Sequence, residues 1–103
     1  MQVEQVKQQF SQVEQSIKQA TQALQNDKSA PPELKDSLRE LGTQSAKIQQ
    51  ARDEDGIRTS FDELERIGMR AKKAAETGNV SPQTKTAVMR ACEGIAQAKQ
   101  RLN

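Results

Sequence analysis

Residues 3–24 read VEQVKQQFSQVEQSIKQATQAL, and in them Val3, Val6, Phe10, Val13, Ile17, Ala20 and Leu24 recur at alternating steps of three and four. That spacing puts all seven on one stripe of an α-helix, a heptad seam with Val3 at position a. A helix with one long apolar stripe is stable mainly by packing that stripe against something else. The stretch therefore predicts a helix over residues 2–27 within an assembly of helices.

Working outward, Ser29-Ala30-Pro31-Pro32-Glu33 breaks the pattern, and proline suits the first turn of a new helix. Leu34, Leu38, Leu41, Ser45 and Ile48 resume the spacing, giving a second helix over 32–51. Asp53-Glu54-Asp55-Gly56 supplies a cap and acids that favour a helix start. A third seam follows over 55–77: Ile57, Phe61, Leu64, Gly68, Ala71 and Ala75, flanked by Ile67 and Ala74. Thr77-Gly78-Asn79 is a stop signal, and Ser81-Pro82 a cap with a first-turn proline. The fourth helix, over 82–102, carries Thr84, Val88, Ala91, Ile95, Ala98 and Leu102.

No proline divides the second and third segments, but their seams are two residues out of phase. Such a slip rotates the apolar face by about 200°. Either a tight turn separates two helices, or one long helix supports a domain-swapped dimer. In a helical hairpin the residue numbers of facing positions keep a constant total. Leu24/Leu34, Ala20/Leu38, Ile17/Leu41, Val13/Ser45 and Phe10/Ile48 obey this, as do Ala75/Thr84, Ala71/Val88, Gly68/Ala91, Leu64/Ile95, Phe61/Ala98 and Ile57/Leu102. The fold class is all-α: a single domain over 1–103 forming an antiparallel up-down-up-down four-helix bundle from two helical hairpins. With both proline turns at one end, Phe10, Ile48, Phe61 and Ala98 share a layer, and Ile17 and Leu41 lie over Gly68 and Ala91.

Composition sets what such a bundle can do. Leu, Ile, Val and Phe number 18 of 103 residues, near the disorder boundary, but the net charge is only +2. Histidine, tryptophan and tyrosine are absent. That removes histidine-based nucleophile pairs, histidine ligation of haem and Glu-x-x-His metal sites. The lone Cys92 builds neither a disulfide within the chain nor a thiolate zinc site. The five glycines are too scattered for a phosphate loop. We expect no enzyme activity and no cofactor. The Met1–Gln5 start lacks a secretory pattern, so the expected location is the cytoplasm, with signal-less export or earlier removal of a signal as the alternatives. Asp36-Ser37-Leu38 resembles the phosphopantetheine tripeptide of acyl carrier proteins, but it falls inside a regular helix of a basic chain and is assigned no carrier role.

Three surface features are candidates for function. Gln5, Gln12 and Gln19 occupy the c row of the first helix and Gln8, Gln15 and Gln22 the f row, an amide face where charges usually alternate. An amide loses less on desolvation than a charge, so the face is a candidate docking surface. Its ordinary reading is a solvated face of good helix formers. Lys28, Lys35, Lys72, Lys73 and Lys85 gather near the proline-turn end as a candidate anion site. Against a nucleic-acid or membrane partner stand the lack of aromatics interleaved with the bases and the modest charge. Met69, Met89, Cys92 and Ala96 lie beside the seam, either a broad core face or an apolar interface for a homodimer or target helix. The leading expectation is a non-catalytic bundle acting by protein–protein interaction with an unidentified protein: an adaptor, a regulator, or a secretion-type chaperone or substrate. The alternatives are polyanion binding at the basic end and a carboxylate-only metal binder or enzyme using Asp53–Asp55.

Overall fold

The computed structural model describes residues 2–102. Four helices follow in chain order: α1 (Val3–Gln25), α2 (Pro32–Gln50), α3 (Glu54–Thr77) and α4 (Pro82–Gln100). Among the described residues there is no strand. α1 packs on α2 and α4, and α3 packs on α2 and α4, so the four form a closed ring around one core. The molecule is an elongated bundle, 41 × 20 × 18 Å. It is the up-down-up-down arrangement that the hairpin arithmetic predicts.

The break between α2 and α3 is real. Ala51 and Asp53 are both extended, and the Asp53 carboxylate accepts a 2.7 Å hydrogen bond from the Gly56 amide. That cap satisfies one of the orphan donors at the start of α3. The helices then turn back on each other within the chain, so no swapped long helix is needed to bury both seams. The Arg70 guanidinium reaches Glu40 across the α2–α3 boundary at 3.0 Å.

The seams are the core. Phe10, Val13, Ile17, Ala20 and Leu24 of α1 are buried, as are Leu34, Leu38, Leu41 and Ile48 of α2. α3 buries Ile57, Phe61, Leu64, Gly68, Ala71 and Ala75 together with the flanking Ile67 and Ala74. The Phe10 and Phe61 rings meet edge to face, with centroids 5.2 Å apart and planes at 76°, a favoured aromatic geometry. Val3 and Val6 are only half-buried, because they pack on the core from its open end.

Two seam positions are polar and buried. The Ser45 hydroxyl donates to the Leu41 carbonyl at 2.7 Å within its own helix. Thr84 instead donates to Asp27, 2.9 Å away in the loop after α1. Both groups are thereby satisfied, as buried polar atoms must be. α4 ends at Gln100, two residues before its expected end, and Leu102 folds back into the core from a turn. The Arg58 side chain donates to the Leu102 carbonyl at 2.9 Å, which holds that turn against α3.

α3 stops at Thr77 with Gly78 as its cap, as the sequence predicts, but the glycine is not needed for a left-handed backbone. Its φ is −87°, open to any residue. Space is what requires glycine: a Cβ would lie 2.8 Å from the Ala74 carbonyl oxygen and 2.9 Å from Pro31 Cγ. The two proline turns meet at this point.

Candidate functional site

The four residues beside the seam come together in one place. Met69, Met89, Cys92 and Ala96 line a groove of about 390 Å³ between α3 and α4, with Gly68 and Ile95 beneath them and Glu65, Lys72 and Glu93 at its edges. Met69 is 67% exposed, the one large apolar side chain among the described residues that faces solvent to that degree. Its position follows from the wide apolar sector of α3. Gly68 and Ala71 turn inward, and the next stripe round, Glu65-Met69-Lys72, emerges at the lip.

Glycine forms the groove floor at residue 68. A Cβ there would sit 3.6 Å from both Cys92 Sγ and Ile95 Cδ1, ordinary contact distances. A methyl therefore fits, although glycine inside a helix is about 0.5–1 kcal/mol less stable than alanine. The Cys92 thiol donates to the Gly68 carbonyl at 3.1 Å, joining α4 to α3 through the floor. Burial pushes the Cys92 thiol pKa up, partly opposed by the positive charge of Lys72. It thus lacks the thiolate character of a redox-sensing cysteine. At one end Lys99 bridges Asp62 and Glu65, 2.9 Å from each. The hydrogen bonds to Glu65 and then Asp62 raise the Lys99 pKa above its usual value.

The glutamine face is solvated along its length: Gln5, Gln8, Gln12, Gln15, Gln19 and Gln22 are all exposed. The fold divides them. Gln12 lines one shallow depression between α1 and α4, and Gln19 and Gln22 another, with Arg90 in both. Gln5, Gln8 and Gln15 border neither depression.

The candidate anion site is assembled with its own counter-charges. Lys28, Lys35, Lys72, Lys73 and Lys85 are exposed, and the two proline turns bring their segments to the same end. Asp27, Glu33, Asp36 and Glu76 lie at that end too, which leaves little net field. Asp27 is the residue there that sequence reasoning missed. Its carboxylate accepts from the Ser29 hydroxyl (2.6 Å) and amide (3.1 Å), the Ser81 amide (2.8 Å) and the Thr84 hydroxyl (2.9 Å). These bonds, that from the Ser29 hydroxyl foremost, hold its pKa far below the usual carboxylate range. The local Asp27–Ser29 turn is a recognisable signal; the reach to Ser81 crosses 54 positions and has none.

Two of the three carboxylates at Asp53–Asp55 are used in local structure. Asp53 caps α3, and Glu54 pairs with Arg58 at 3.1 Å. Among the described residues no group of three or more His, Cys, Asp or Glu side chains is placed to hold a metal ion. Ser37 is 2% exposed and donates to the Glu33 carbonyl at 2.8 Å, so it is unavailable as a carrier serine. Among the described residues no helix is long and apolar enough to cross a membrane. No family model matches the chain, and no curated protein or solved structure shows significant similarity to it.

Proposed function

We propose that the protein is a non-catalytic helical bundle that works by binding another polypeptide, with the α3/α4 groove as its docking surface. One observation carries the reading: Met69 stands 67% exposed at the lip of a groove that also displays Met89, Cys92 and Ala96. Methionine is unbranched and polarizable and adapts to varied partner side chains. Apolar residues gathered in a concave strip between charged edges are the usual make-up of an interaction site.

Site-specific photo-cross-linking in the native host tests it. A photoreactive residue replacing Met69 should give one discrete adduct of defined mass. The same residue replacing Lys47, exposed on α2, should give none. No adduct from position 69, or the same smear from both positions, overturns the proposal.

A further inference from the structure

Along the α3 lip, Glu65, Met69 and Lys72 follow one another at steps of four and three. Acid, thioether and base therefore make a straight row on one helix face. Such a row is complementary to itself when reversed. If a second α3 crosses this one antiparallel at Met69, each Glu65 meets Lys72 of the second copy and the two Met69 side chains meet at the twofold axis. On the other lip, the same axis opposes Met89 to Cys92 of the second copy, apolar against half-buried apolar. A foreign helix would need a matching charge row of its own; this chain already carries one.

We infer that the α3/α4 face is an isologous dimer interface occupied by a second copy of this chain, with the twofold axis beside Met69. The inference rests on the docking reading above. Glu65 is free to serve both roles, since Lys99 donates to Oε1 and the carboxylate has lone pairs on its other oxygen as well. The face is large enough for a modest interface. The 19 residues of α4 give a length of about 28 Å, and two helices side by side about 20 Å of width. That is on the order of 500–600 Å² in plan, below the ~800 Å² per partner of a standard interface and in the range of weak ones. Four central apolar residues with a charged rim point to a weak dimer in which the charges fix register.

Sedimentation equilibrium of the full chain, from about 1 µM to about 1 mM, covers the range of weak interfaces. The average mass should rise from 11.4 kDa toward twice that value. Lys72→Glu and Glu65→Lys should each weaken association about tenfold or more. An equimolar mixture of the two variants should recover it, because an acidic row then faces a basic one at both contacts. Met69→Lys should abolish association while leaving the helical circular dichroism unchanged, since the side chain is exposed. A mass fixed at 11.4 kDa throughout, or a mixture no better than either single variant, overturns the dimer. In the monomeric case, a cross-link from position 69 to a different protein retires the dimer alone. No cross-link at all retires the docking reading with it.

Discussion

The Asp27 carboxylate accepts a 2.8 Å hydrogen bond from the backbone amide of Ser81, so one carboxyl group ties the α1–α2 turn to the α3–α4 turn. Thr84 adds a second bond from α4 to the same carboxylate oxygen. This clasp closes the proline-turn end, where Pro31 also packs on Gly78.

Removing the carboxylate should loosen that end. Asp27→Ala removes the bonds to the Ser81 amide and the Thr84 hydroxyl, leaving that hydroxyl only its 3.0 Å contact with the Ser81 hydroxyl, and a lower thermal midpoint is the expected result. The pH dependence has a definite sign. Because the folded-state pKa is depressed, the stabilisation is present above the unfolded carboxylate value of about 3.9 and is lost as pH falls toward the folded value. Melting curves followed by circular dichroism should show the wild type losing more stability than Asp27→Ala between pH 5 and pH 2. Equal losses would show that Asp27 is not a source of the acid sensitivity.

Two glycines should respond in opposite directions. Gly42 lies inside α2, and nothing stands within 4 Å of a Cβ built there. Gly42→Ala should therefore stabilise the protein by about 0.5–1 kcal/mol through helix propensity. Gly78→Ala places its methyl against Pro31 and the Ala74 carbonyl, and should cost about 1–3 kcal/mol. Urea denaturation measures both.

Core and surface should separate sharply. Phe61→Ala removes the ring that meets Phe10 and should cost about 3–5 kcal/mol, a large share of the ~5–15 kcal/mol typical of a small domain. Leu41→Lys puts a charge at a fully buried position and should unfold the chain. The readout is helical ellipticity at 222 nm as temperature rises. A cooperative transition at the wild-type midpoint for either variant would contradict the described core.

The glutamine face should tolerate charge. Gln8→Lys, Gln15→Lys and Gln22→Lys all fall at exposed positions of α1, so each should shift stability by no more than about 0.5 kcal/mol. If this face binds a partner, the triple variant should lose that partner in a pull-down while melting normally. Unchanged capture would assign the face to solvation alone.

The helix seams were legible in the sequence because burial in a bundle is periodic. Ile48 and Ile57 fall out of phase, so a turn had to separate them or a second chain had to accept one half. Leu24 and Leu34, set by the lengths of their turn and helices, had to face each other. A chain with few large apolar residues thereby builds a core, because nearly all of them sit on the seams. Charge and composition likewise determined which chemistries have no residues to perform them.

What only the tertiary structure decided depends on contacts between residues far apart in the chain, which no local period encodes. Nothing around Asp27 announces Ser81, and Gly78 reads correctly as a helix stop, but that Pro31 leaves no room for a side chain there is not legible. Met69 and Met89 were recognisable as off-seam residues on separate helices. That Met69 faces solvent, whereas Ile67 and Ala74, also beside the seam, turn inward, was decided by how α3 and α4 settle around Gly68. The angular width of a buried face is fixed by the neighbouring helices, not by the helix that bears it.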